Sequence, residues 1–214
     1  MPGSVIIVGA GPGLGSALAR RFADRDRPIA LLARQRRHLE AVAATVSSRA
    51  EVGTIEADCR DEASLRGGLD VAVDRFGPPE VVVYNAAVVR ADHLHGVTLH
   101  DLRETWGVNV GGAVITAAHL LPIMADVGGG SYLISSGMPE PKPEYLTLSL
   151  GKFGIRTLVR ILDSQFASRG VHVASVTIGG IIASGTRFDP DAVAERYWSL
   201  HGQSPGSWDT EIVV

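Results

Sequence analysis

The sequence predicts a single doubly wound α/β domain, a seven-stranded parallel sheet with helices on both faces. Three observations predict it. Short apolar, β-branched runs alternate with helix-period segments from one end of the chain to the other. A glycine-rich turn joins the first of these runs directly to the first helix. The length, 214 residues at 45% apolar and 20% charged, is enough for one substantial core and requires no second domain.

The first strand is Ile6-Ile7-Val8, and Gly9-Ala10-Gly11-Pro12-Gly13-Leu14-Gly15 turns from it into an amphipathic helix. Glycines suit a turn with positive φ, a backbone approached closely by phosphate, and a helix packed hard on its strand. The helix N-terminus adds N–H donors and positive dipole. Gly9, Gly11, Pro12, Gly13, Leu14 and Gly15 therefore read as a Rossmann-like dinucleotide cradle, against the plainer alternative of a structural βα turn.

A second strand at residues 28–33 completes this unit, followed by a helix pattern at 35–48 and a short strand ending near Ala57 and Asp58. The helix at 62–76 is stopped by Gly77-Pro78-Pro79. Residues 81–84 are uniformly apolar, as a buried central strand should be. One long or broken helix spans 99–124, then Gly128-Gly129-Gly130 turns into a strand at 131–135. A helix at about 144–168, a strand at 171–177, a helix at 191–201 behind Pro190 and a last strand at 208–214 follow, which makes seven strands.

Composition excludes several function classes. A net charge of −3 with scattered Lys and Arg offers no basic field for nucleic acid. No apolar run is read as long enough to span a bilayer, so no membrane is expected. The start Met1-Pro2-Gly3-Ser4 shows no basic and apolar leader, so a cytoplasmic protein is expected. The single cysteine, Cys59, excludes an internal disulfide framework, and no metal is expected from it or from the dispersed histidines.

NAD-selective folds of this kind carry a carboxylate near the end of the second strand, where it meets the adenosine ribose. Here the strand ends Leu32-Ala33-Arg34-Gln35-Arg36-Arg37. Arg34 could hold a 2′-phosphate through paired, charge-assisted donors, which makes NADP(H) the expected cofactor ahead of NAD(H). Arg36 and Arg37 suit a solvated helix start. Asp58 and Cys59 fall where an adenine ring would rest; Asp58 either accepts from its amino group or caps the helix at Glu62. Cys59 itself reads as a small buried side chain.

Over nearly its whole length the chain resembles the short-chain dehydrogenase/reductase family. The family's TGxxxGxG pattern appears as Val8-Gly9-Ala10-Gly11-Pro12-Gly13-Leu14-Gly15, and its NNAG motif as Tyr84-Asn85-Ala86-Ala87. The helix asparagine matches Asn109, the strand-end serine Ser136, and the lysine Lys152; the sixth-strand PG turn survives as Thr177-Ile178-Gly179-Gly180-Ile181 without its proline. The resemblance implies cofactor contacts at Asn85, Ala86, Lys152, Gly179 and Ile181, a small-molecule substrate, and a homodimer or homotetramer built through the long helices and last strand.

The resemblance fails at the acid. In the family's YxxxK pair, tyrosine exchanges the proton while lysine lowers its pKa and holds the nicotinamide ribose; four residues before Lys152 stands Leu148. Tyr145 is seven before Lys152, about two turns or roughly 10 Å along a regular helix, and reaches the lysine only if the helix start is irregular. Ser149 is near enough but a poor acid. Lys152 could still hold the ribose, Ser136 a carbonyl, and Asn109 a water; their plainer alternatives are a solvated lysine, a turn serine and a helix-kink amide.

After the sixth strand, Ala183 to Pro190 leads almost directly into a helix, so little chain remains to cover a substrate. The closing segment, with Tyr197, Trp198 and Trp208, resembles a subgroup of the family that also lacks the tyrosine; these aromatics suit core or subunit contacts. The expected function is an NADP(H)-dependent oxidoreductase on a carbonyl or alcohol. The alternative is an NADP(H)-binding sensor or regulatory protein without turnover, which Leu148 favours and Ser136, Lys152 and Asn109 disfavour.

Overall fold

The computed structural model describes residues 3–23 and 27–214. Met1 and Pro2, on which the reading of the chain's start partly rests, lie outside them. The strands are β1 (Ser4–Val8), β2 (Ile29–Ala33), β3 (Val52–Glu56), β4 (Pro79–Tyr84), β5 (Gly130–Gly137), β6 (Val171–Ile178) and β7 (Glu211–Val213). All pair in parallel, in the order β3-β2-β1-β4-β5-β6-β7. The order reverses between β1 and β4, which opens a crevice beyond the strand C-termini.

Strand alternation builds the layers. On β1, Val5 and Ile7 face α1 (Leu14–Ala23), α2 (Arg36–Ala44) and α7 (Pro190–His201). Ile6 and Val8 face the opposite layer of α3 (Glu62–Phe76), α5 (Gly112–Asp126) and α6 (Leu146–Phe166). Because both faces are covered, the middle of the sheet is built from apolar runs at residues 5–8 and 81–84, and each fully buried Val, Ile or Leu contributes about 1.5–3 kcal/mol. The platform beneath the crevice is rigid for that reason.

Of the two alternatives, one long or a broken helix, the structure has a continuous run interrupted by a change of helical type. α4 (Leu99–Trp106) opens with a Thr98/Asp101 capping box, and a π-helical turn, Gly107–Gly111, joins it to α5. The Tyr84 hydroxyl donates to the Val108 carbonyl in that turn and Tyr132 donates to Ala113 at 2.8 Å, so two buried phenols tie the sheet to it. Gly112 is required there, since a Cβ would sit 2.1 Å from the Tyr84 hydroxyl. One expectation is corrected: the continuous run Leu99–Asp126 is long and apolar enough to cross a membrane by composition, with a window of mean hydropathy 1.6. More than half of that window is buried and α5 packs on β4 and β5, which makes it a core helix.

Other boundaries shift for local reasons. α2 stops at Ala44 rather than at 48, where Thr45 turns its hydroxyl back to the Val42 carbonyl at 2.7 Å. β7 starts at Glu211 rather than at 208, because Trp208 donates to the Gln203 carbonyl and stacks on His172 at 5.0 Å. The loop between β6 and α7 is as short as expected and is packed on itself, with the Phe188 ring against Gly180.

Candidate functional site

The glycine turn is built as its composition predicts. Gly9 has φ +90°, and a Cβ there would stand 2.3 Å from the Ala86 nitrogen, so it needs both the left-handed conformation and the missing side chain. Its N–H and that of Ala10 both donate to the Leu32 carbonyl, at 2.8 and 3.1 Å. Gly15 lets α1 approach Ala10, where a Cβ would fall 2.9 Å from its Cα. Gly11 and Gly13 differ: a Cβ on either meets nothing within 4 Å. These two flank Pro12, which has no N–H, and leave the turn open just before the α1 N-terminus at Leu14. That combination fits a phosphate.

Asn85 locks the turn from the neighbouring strand. Its backbone N–H donates to the Val8 carbonyl at 2.7 Å and its Nδ2 to the Gly9 carbonyl at 2.9 Å. Its Oδ1 accepts from the Ser135 hydroxyl at 2.7 Å, which lies 2.6 Å from the buried Tyr197 hydroxyl. The sequence points to Ser136 and assigns Tyr197 to the core or a subunit contact, and Ser135 is not among its candidates. The signal was available in principle, because a buried phenol needs a hydrogen-bond partner, and Ser135 faces α7 while Ser136, one residue on, faces α6.

Two cavities meet at this turn, sharing Gly11 and Asn85. The first, about 260 Å³, lies over β2 and β3 and is lined by Ala33, Arg34, Asp58, Cys59 and Ala86. Arg34 is exposed at its rim; Arg36 instead pairs with Glu56 at 2.7 Å, and Arg37 donates to Gln35 at 3.0 Å. The capping alternative for Asp58 is corrected: Asp61 caps α3, accepting from Ala63 and Ser64. Asp58 instead takes Arg60 through several contacts down to 2.7 Å, and hydrogen bonding from that guanidinium, opposed by partial burial, keeps its carboxyl below its ordinary pKa. Cys59 is half-buried at the cavity wall rather than fully buried, and desolvation pushes its thiol pKa up.

The second cavity, about 530 Å³, lies over β5 and β6 and brings together Ser136, Leu148, Lys152, Tyr145, Gly179 and Ile181. Lys152 is only 7% exposed; its Nζ donates to the Ser135 carbonyl at 2.9 Å, and burial lowers its pKa from 10.5 to about 8. The solvated-lysine alternative is thereby corrected. The Ser136 hydroxyl lies 3.4 Å from the Lys152 carbonyl, a long contact that leaves it free to turn toward a ligand. Tyr145 is the residue before α6 and has a non-helical backbone, so it reaches the cavity from the irregular start on which its candidacy depended.

Two candidates are not brought to that cavity. Asn109 lies buried in the π-helical turn, with Oδ1 accepting from the Val88 N–H at 2.7 Å and Nδ2 donating to the Val88 carbonyl at 3.2 Å. Its amide clamps the loop after β4. Ser149 is bonded to the Lys142 backbone, accepting at 3.0 Å. Asp92, which sequence reasoning did not single out, is a second clamp: its carboxylate accepts from the Thr147 N–H at 3.1 Å and from the Thr147 hydroxyl, capping α6 from outside the helix. Among the described residues no cluster could hold a metal.

A glycine cradle at the switch point and a buried lysine beside a strand-end serine define a dinucleotide-binding α/β protein with oxidoreductase architecture. The profile described as short chain dehydrogenase matches residues 4–191, and the chain belongs to that family, whose members work with a nicotinamide cofactor. It is similar to glucose 1-dehydrogenase of Gluconobacter oxydans, 28% identical over 183 residues that cover 83% of this chain and 69% of that one. It is also similar to 3-dehydrosphinganine reductase TSC10A of Arabidopsis thaliana, 30% identical over 215 aligned positions covering 97% and 64% of the two chains. A metagenomic short-chain oxidoreductase solved in complex with NADP shares the fold at a TM-score of 0.90 and 23% identity, covering 100% of this chain and 97% of that one.

Proposed function

We propose that the protein is an NADP(H)-dependent oxidoreductase acting on a carbonyl or alcohol. The observation that carries this reading is the buried Lys152 in a cavity that also holds Ser136 and runs on from the glycine cradle. A lysine held at a pKa of about 8 by burial costs stability and is retained here beside a ligand-sized space. Arg34 at the rim of the other cavity, with Ala33 in place of a carboxylate, supports NADP(H) over NAD(H).

When bound, the nicotinamide supplies or accepts the hydride. Gly9, Gly15 and Asn85 fix the turn, while Gly11, Pro12, Gly13 and Leu14 present it to the pyrophosphate. Arg34 takes the 2′-phosphate, and Asp58, Cys59 and Ala86 border the adenine. Lys152 uses one of its three protons on the Ser135 carbonyl and would offer the other two to the ribose hydroxyls, with Gly179 and Ile181 lining the same cavity. Ser136 orients the substrate oxygen, and Asn109 acts by holding the Val88 segment. Leu148 has no proton to give, so the proton passes through water or Tyr145.

The curated relatives are named for substrates as unlike as glucose and 3-dehydrosphinganine, so the reaction type, not the compound, is the proposal. The test is NADPH oxidation with a broad aldehyde and ketone panel, run on the protein and on Leu148→Tyr. Turnover in either, enhanced by the tyrosine, is expected. Binding of NADPH with no turnover in either variant would replace the enzyme by a sensor. Apolar side chains exposed on α4 and α6, Trp106, Leu150 and Phe153, favour assembly as a homodimer or homotetramer, checked by light scattering.

A further inference from the structure

We infer that the substrate is a carbonyl or alcohol carried on an extended apolar chain, and that Met138, Leu148, Ile181 and Ile182 select it against polyhydroxylated compounds of the same reactivity. The inference rests on the oxidoreductase reading and concerns the larger cavity of that site.

Its walls decide the matter. Val89, Met138, Tyr145, Leu148, Ile181 and Ile182 line the space, and among the described residues no Asp or Glu does. Of the polar side chains that do, Ser135 and Asn85 are spent on each other, on Tyr197 and on Gly9. Ser136, Lys152 and the Tyr145 hydroxyl remain, with Lys142 beside them. That set serves one reacting oxygen and a ribose. A sugar or tetritol would leave further hydroxyls unpaired against hydrocarbon, and each such hydroxyl is disfavoured by up to about a hundredfold.

Two further features point the same way. Met138 has φ +51°, the only positive φ at a non-glycine residue among those described, immediately after the strand end that carries Ser136. Such a backbone is costly for an L-residue and is found where the surroundings enforce it, often at ligand sites; here it accompanies a flexible, polarizable apolar wall. The apolar lining also continues outward. Ile181, in the short loop before α7, is 85% exposed and Val89 69% exposed, although both line the cavity, so its apolar lining reaches the open rim. A chain longer than the enclosed space has an apolar path to follow.

The experiment uses the full chain with saturating NADPH and calorimetric titration of 1-alkanols from butanol to decanol, with 1,2,3,4-butanetetrol as the polar counterpart of butanol. Each buried methylene should tighten binding about fourfold, and the tetrol should bind far more weakly than butanol. Leu148→Asn should flatten the slope for all members. Val89→Ser, which alters an exposed side chain outside the proposed cofactor contacts, should flatten it only for the longer ones. A slope near zero, a tetrol that binds better than butanol, or a slope identical in both variants and the unsubstituted protein would each overturn the inference. The matching aldehydes are followed in parallel by NADPH oxidation. Steep binding without oxidation sinks the oxidoreductase reading and leaves the chain preference standing; oxidation without chain dependence does the reverse.

Discussion

Removing the Arg34 guanidinium should change which nicotinamide cofactor the protein prefers while leaving the fold intact. Arg34 is exposed at the rim of the cavity over β2 and β3, and its neighbours are already committed, Arg36 to Glu56 and Arg37 to Gln35. Asp58, which would repel a phosphate, is neutralised by Arg60. A hydrogen bond to a charged group contributes about 1.5–3 kcal/mol, and exposure argues for the lower end. Arg34→Ala should therefore weaken NADPH binding by roughly 1.5 kcal/mol, about tenfold, with little effect on NADH. Arg34→Asp adds repulsion and should invert the preference. Titration of both cofactors at low and high salt measures the ratio, and the NADPH advantage should shrink with salt. Equal losses for the two cofactors, or an unchanged ratio, would show that Arg34 is a solvated surface residue and that the second-strand argument is wrong.

Three other outcomes follow from the geometry. Gly9→Ala should cost about 3 kcal/mol or more in urea unfolding, or prevent folding, because its Cβ would collide with Ala86; Gly11→Ala, with open space around it, should leave unfolding unchanged and weaken nucleotide binding. Lys152 should make the protein less stable at neutral than at alkaline pH. Its pKa falls on folding, from 10.5 to about 8, so the unfolded chain binds the extra proton between those values and stability rises across that window; Lys152→Met should be more stable at pH 7 by about 1–3 kcal/mol, with the advantage gone near pH 10.5. Asp92→Ala should destabilise by about 1–2 kcal/mol through loss of the α6 cap, read in the same unfolding experiment.

The fold was legible because a parallel sheet covered on both faces must be written as apolar runs, and Gly77-Pro78-Pro79 and Gly128-Gly129-Gly130 punctuate it. The ends of elements were less so, since they depend on partners elsewhere. β7 starts late because Trp208 is held by Gln203 and His172, from two different parts of the chain. The cradle was legible for the same reason as the sheet: Gly9 and Gly15 answer a local steric demand. Asp58 and Asp61 both precede α3, and spacing alone does not say which one caps it. Asp92 carried no signal at all, because the helix it caps begins far along the chain, at Leu146.

On the proposed reading a cofactor half adjoins a substrate half in which Leu148 stands four residues before Lys152, and the two features bear on each other. Leu148 is 3% exposed and stands in the same cavity as Lys152, so that wall of the cavity offers the lysine hydrocarbon and no phenol. A desolvated cation acts more strongly on a ribose hydroxyl or a developing oxyanion than a solvated one does. The same desolvation lowers its pKa toward neutrality. A tyrosine at 148 would therefore restore a proton donor and at once rehydrate or screen the lysine. The net gain in rate measures whether this chain lost a proton or exchanged it for a drier, more strongly charged site suited to an apolar ligand.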